Sequence, residues 1–209
     1  MNAILSSAYW PNLQYFYYLI NAEQVQIEQH EHYQKQSFRN RTQILSANGV
    51  LNLVIPVIQK HKKMPMHAVE IDYNENWQMN HWRAINSAYK NSPFFDFFED
   101  ELFVFYTQKE KMLLDYNLKQ LELIFKILRK KRNFSLTETF ETSFDNMRDK
   151  RFDIHPKINF DQDLQAYANL VKPYYQTFSE KFNFVPNLSV LDLIFNEGKF
   201  ASSYLNAEM

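Results

Sequence analysis

The run Ala3-Ile4-Leu5-Ser6, then Leu13-Gln14-Tyr15-Phe16-Tyr17-Tyr18-Leu19-Ile20, then Val25-Gln26-Ile27-Glu28 decides the fold. Ala3 to Ser6 is a short apolar run of the kind that forms a buried strand. Pro11 falls where a first helical turn tolerates it, and Leu13, Phe16, Tyr17 and Ile20 recur at helical spacing. Val25 and Ile27 alternate with Gln26 and Glu28, the period of a second strand. Strand, helix, strand in that order predicts a parallel pair joined by a crossover helix.

Working outward, Ser37 to Val57 predicts a hairpin centred on a type I′ turn at Asn48-Gly49, with Phe38, Thr42 and Ile44 before it and Leu51, Leu53, Ile55 and Val57 after it. Val69 and Ile71 add a short strand. From Trp77 the pattern turns helical: Trp77, His81, Ile85 and Tyr89 share one stripe, and Leu114, Leu118, Leu121, Phe125 and Leu128 mark a long amphipathic helix ending in Arg129-Lys130-Lys131-Arg132. Helices are expected after Pro173 and from Val190 to Phe195, the latter closed by Gly198. The fold class predicted is α/β: an N-terminal strand-helix-strand and hairpin sheet packed with a mostly helical C-terminal half. The chain divides into residues 1–132 as the α/β core with a helical extension, 133–161 as an irregular excursion or linker, and 162–209 as C-terminal helices packing on the core.

Composition removes whole classes of function. Among 209 residues there are two Gly and no Cys. Average usage near 7% would give roughly fifteen Gly. Walker loops, dinucleotide fingerprints, disulfides, Cys-zinc sites and thiol nucleophiles are therefore excluded. Phosphates, if bound, must be held by side chains or a helix N-terminus. With 23 Lys+Arg against 24 Asp+Glu the net charge is -1, which does not point to a nucleic-acid partner. The basic end at Arg129 to Arg132 is what a helix macrodipole favours. The first twenty residues lack a basic n-region, and no apolar run reaches eighteen residues. A cytoplasmic location without membrane insertion is the expectation.

The densest polar stretch runs from Glu28 to Arg41. If Ser37 to Ile44 is extended, Arg39 and Arg41 share one face, a clamp for a phosphate or carboxylate, while Phe38, Asn40, Thr42 and Ile44 share the other. The alternative is a solvated face on which these arginines pair with Glu28 or Glu31. His30 and His32 also share a strand face with Glu28, yet no ligand motif joins them to His61, His67, His81 or His155, and an exposed histidine pair is the expectation, with no metal. His81, on the apolar stripe, reads as a hydrogen-bonded core residue. The aromatics from Phe94 to Tyr106 read as core.

Several runs in order resemble the WbqC-like protein family in a form found in Bacteroidetes-type bacteria. They are Ala8-Tyr9-Trp10-Pro11, Glu28 to Arg41, Asn48-Gly49, Trp77-x-x-x-His81-Trp82-Arg83, Ser87 to Phe95 and Asn187 to Gly198. Where many relatives carry an aspartate pair, this chain reads Gln29-His30. The start Pro11-Asn12-Leu13-Gln14-Tyr15 also resembles the phosphate-binding helix start of nucleotidyltransferases, with Asn12 and Tyr15 in place of two histidines and Gln14 in place of a glycine.

The resemblance implies an association with O-antigen and related surface-polysaccharide gene sets. It supports the expectation of a transferase or ligase acting on an anionic intermediate, a nucleotide sugar or acyl compound. Arg39 and Arg41 would hold the anion, Lys35 would add charge, and Tyr33 and Asn40 would orient the substrate. Glu28 or Glu31 would act as acid or base. The competing expectation is a non-catalytic binding or assembly module; no motif names a cofactor.

Overall fold

In a computed structural model the described residues are 2–58, 61, 63–131, 133–157 and 172–205. The opening unit is as its periodicity requires. β1 (Asn2–Ser6) and β2 (Gln24–Glu28) pair in parallel, Ala3 opposite Val25 and Ser6 opposite Glu28, with α1 (Leu13–Asn21) as the crossover. Asn12 caps α1 by accepting from the Tyr15 N–H at 3.0 Å.

Residues 133–157 do not form a linker. They supply β7 (Phe134–Leu136) and β8 (Met147–Asp149), which pair in parallel with β2 and β1 to give a four-stranded sheet in the order β7-β2-β1-β8. Each strand is only three residues long, too short for a period of two to register in sequence. The remainder of the expected excursion, 158–161, and residues 162–171 and 206–209 of the C-terminal part lie outside the described residues. β1 buries Ala3, Ile4 and Leu5 alike, as a central parallel strand covered on both faces does.

The hairpin is β3 (Arg41–Ser46) and β4 (Gly49–Val54), in a register of Ser46 opposite Gly49. The turn is therefore centred on Ala47-Asn48, one residue earlier than expected, and the positive φ belongs to Gly49 alone (103°). β5 (Val57–Ile58) and β6 (Glu70–Ile71) make a second small antiparallel pair.

The helical half comprises α2 (Trp77–Tyr89), α3 (Phe95–Thr107), α4 (Leu113–Leu128), α5 (Ser179–Phe182), α6 (Val190–Glu197) and α7 (Ala201–Leu205). The helix expected after Pro173 is only the single turn α5. α6 is buried along its whole length from Val190 to Asn196. Gly198 at its end has φ 56°, and a Cβ there would meet the Phe94 ring at 2.4 Å.

Tyr9 and Trp10 join the two halves. The Trp10 indole donates to the Tyr106 hydroxyl at 2.9 Å, the Tyr106 and Tyr9 hydroxyls are 3.2 Å apart, and Tyr9 lies 3.0 Å from His81 Nδ1. Burial lowers the His81 pKa to about 4, so the ring is neutral and belongs to the core.

Candidate functional site

All four strands of the main sheet run the same way, so their carboxyl ends form one polar edge. Ser6 and Ser7 follow β1, Glu28 ends β2, Thr137 follows β7, and Asp149 ends β8 with Arg151 just beyond. In open parallel sheets this is the edge that ligands use.

The polar stretch after β2 is a folded loop rather than a strand. Met66 and His67 donate their N–H groups to the Glu31 and Gln29 carbonyls, and Tyr33 donates to Met64. Gln36 adopts φ 60°, and Ser37 Oγ donates to the Gln34 carbonyl at 2.6 Å. β3 begins only at Arg41, so the alternation expected to place Arg39 beside Arg41 does not apply. The one-face clamp is thereby corrected: the two arginines go to different places.

Arg39 turns inward. It is 2% exposed, and its Nε and Nη2 donate to the two carboxylate oxygens of Glu31 at 2.8 and 2.5 Å. Burial raises the Glu31 pKa against the pull of Arg39. Glu28, fully buried, accepts from Arg151 Nη1 at 2.9 Å, from Thr137 Oγ1 at 2.8 Å and from the His30 N–H at 2.8 Å.

Arg151 also donates Nε and Nη2 to Asp149 at 3.0 and 2.6 Å, and its carbonyl accepts from Ser6 Oγ. The rings of Phe140, Phe144 and Phe152 pack around its guanidinium, with centroids 4.9 to 5.6 Å away. Burial pushes the Asp149 carboxyl up, but the hydrogen bonds and charge of Arg151 outweigh this and hold it low. Two carboxylates and two guanidiniums are thus matched under the loop, a geometry that fixes position more than it adds stability.

Sequence reasoning missed Arg151, Asp149 and Thr137. Arg151 lies 123 positions from Glu28. The signal that could have found it is a charge count: two carboxylates carried between apolar strands require two buried cations, and Arg39 is only one.

Arg41 stays at the surface. With Tyr33, Lys35, Gln36, Asn40 and Val57 it lines an open pocket of about 270 Å³. Four of the five expected binding residues, Tyr33, Lys35, Asn40 and Arg41, therefore meet in one place, and Arg39 does not. Arg41 Nε and Asn40 Oδ1 are buried without a hydrogen-bond partner, although Asn40 Nδ2 donates to the Ile55 carbonyl at 2.7 Å. Burial raises the Tyr33 pKa to about 12 against the pull of Arg41 and Arg39, so its hydroxyl keeps the proton and can donate. The lining holds two cations and no carboxylate. By contrast, a second pocket of about 150 Å³ beside Tyr116 contains Lys119 already paired with Glu110.

Glu28 and Glu31, the expected acid–base pair, do not line the Arg41 pocket. The helix N-terminus is not free for a phosphate either. In the first turn of α1 the Leu13, Gln14 and Tyr15 N–H groups donate to the Leu188 carbonyl, Asn187 Oδ1 and Asn12 Oδ1. His30 packs against His67 with ring centroids 5.2 Å apart. Among the described residues no three His, Cys, Asp or Glu side chains are grouped so as to hold a metal, and no helix is long and apolar enough to cross a membrane.

No curated protein and no solved structure matches the chain. The model of the WbqC-like protein family matches residues 6–169, which include the whole polar edge of the sheet, the loop from Glu28 to Arg41 and the Arg151 segment. On a match spanning most of its length, with the ordered sequence runs falling largely inside it, the chain belongs to the WbqC-like protein family.

Proposed function

We propose that this chain binds a small anionic metabolite, phosphorylated or carboxylated, in the pocket of Tyr33, Lys35, Asn40 and Arg41. One observation carries the reading: Arg41 lines the pocket with a buried Nε that lacks a hydrogen-bond partner, beside Lys35 and with no carboxylate in the lining. A guanidinium in that state is set to accept an anion as its partner. Tyr33 and Asn40 supply a hydroxyl and an amide that orient the remainder of the ligand. The expected setting is a transferase or ligase step on an intermediate of bacterial surface-polysaccharide synthesis, such as a nucleotide sugar or acyl compound.

A second reading, a binding or assembly module without catalysis, is favoured by the burial of Glu28 and Glu31 in ion pairs. An acid or base must reach the proton it moves. A thermal-shift screen with sugar phosphates, nucleotide sugars and carboxylates should find an anion that raises the melting temperature by mass action. Arg41→Ala should erase that rise while the free protein melts as before. Product formation with the same anion supports the transferase or ligase; stabilisation without turnover supports the binding module; a flat screen removes the anion reading.

A further inference from the structure

We propose that His155 and Lys157 form a second wall of the Arg41 pocket, so that the site takes a dianionic phosphate group and takes up a proton with it. The inference rests on the anion-binding reading of that pocket and specifies its ligand.

The segment after β8 is fixed at several points. The Lys150 N–H donates to the Ile4 carbonyl at 3.0 Å, Ser6 Oγ donates to the Arg151 carbonyl at 2.7 Å, and the Arg151 guanidinium is held by Glu28 and Asp149. Arg39 Nη2 reaches the same Arg151 carbonyl at 3.4 Å. Ile154, buried, lines a narrow cleft with Phe38 and Arg39. The chain that continues into His155, Pro156 and Lys157 therefore starts against the very loop that leads into Asn40 and Arg41.

The chemistry of that wall is cationic. The Lys157 N–H donates to His155 Nδ1 at 3.1 Å, which places the proton of the neutral ring on Nε2 as a donor. The charges that act on His155 are Arg39 and Arg41 from the facing loop and Lys157 on its own; with partial burial, listed by size burial first, they lower its pKa below the ordinary value. Of the carboxylates nearby, Glu31 is taken by Arg39, and Asp153, on the same segment, is bonded to Lys150 at 2.8 Å. Lys35, Arg41 and Lys157 with a protonatable imidazole match two negative charges better than one. An anion placed among them removes the repulsion that keeps His155 neutral, and the ring gains a proton as the anion binds.

The test uses the full chain and sulfate, a dianion that does not itself titrate between pH 5.5 and 8, with acetate as the monoanion. The expected result is that saturating sulfate raises the His155 pKa, read by NMR from its ring signals, past its ordinary value. Sulfate affinity should then increase as pH falls, by up to about tenfold per pH unit across the histidine titration. Acetate should bind more weakly and shift His155 less. His155→Gln should flatten the pH dependence while leaving binding at pH 8, and Lys157→Ala should weaken sulfate at every pH without changing the slope. If sulfate binds in an Arg41-dependent way but the His155 titration and the slope are unmoved, the second wall is refuted and the anion pocket stands. If neither sulfate, inorganic phosphate nor acetate binds at all, both fall.

Discussion

Arg39 and Arg41 stand two positions apart, carry the same guanidinium and have opposite fates. Arg39 is 2% exposed and doubly bonded to Glu31; Arg41 lines an open pocket with Nε unpartnered. What separates them is the boundary of a strand. Ser37 to Asn40 is a turn whose direction is set by Gln36 at positive φ and by the Phe38 carbonyl bonded to the Tyr9 N–H, whereas Arg41 is the first residue of β3. Residue type and spacing suggested one clamp; backbone direction made one structural arginine and one available arginine.

The largest expected effect comes from breaking the buried side of that contrast. Arg39→Ala leaves Glu31 buried and unpaired, and Arg151→Ala does the same to Glu28. Each should cost about 3–5 kcal/mol in a denaturant titration. A loss below about 1 kcal/mol for either would mean that the pairs are solvated and that the contrast with Arg41 is false. The double change Glu31→Ala with Arg39→Ala should be markedly less damaging than the two single losses added together, since it leaves no orphan charge.

Next in size is the ligand side. Arg41→Ala should change the stability of the free protein by no more than about 1 kcal/mol, as removal of an unpaired surface charge does, yet abolish anion-induced stabilisation. Loss of folding in Arg41→Ala would turn it into a second Arg39. Lys35→Ala should weaken anion binding several-fold and reduce its salt dependence rather than abolish it, because an exposed ammonium acts as a point charge.

The smallest expected effect is in pH. Asp149 is held low by Arg151, so its contribution is present above the unfolded value of 3.8 and is lost as pH falls through its lower folded value. Asp149→Asn should therefore flatten the acid side of the stability curve below about pH 4, checked by thermal melts at stepped pH. A wild-type curve with no slope there would remove Asp149 from the charge cluster.

Much of this molecule is legible in its residues. Period and order give β1, α1 and β2, the hairpin, and the helices α2 and α4, because each buries an apolar face whose spacing is local. Tyr33, Lys35, Asn40 and Arg41 were recognisable as a polar concentration between apolar elements. Glu28 and Glu31 were recognisable as important carboxylates, but their work is to hold loops in place. β7 and β8 were not legible: three residues pair by register with a strand more than a hundred positions away, and no local pattern records that. Arg151 was hidden for the same reason, since Arg148-Asp149-Lys150-Arg151 reads as an ordinary charged surface run.

By itself the sequence determined that this is an α/β chain whose ligands must be gripped by side chains, because scarce glycine and absent cysteine are chemical facts independent of folding. Only the tertiary structure decided which side chains are free to grip. Whether a guanidinium is satisfied depends on which carboxylate the folded backbone brings within 3 Å of it, and that partner is chosen by strand ends and loops far apart in the chain.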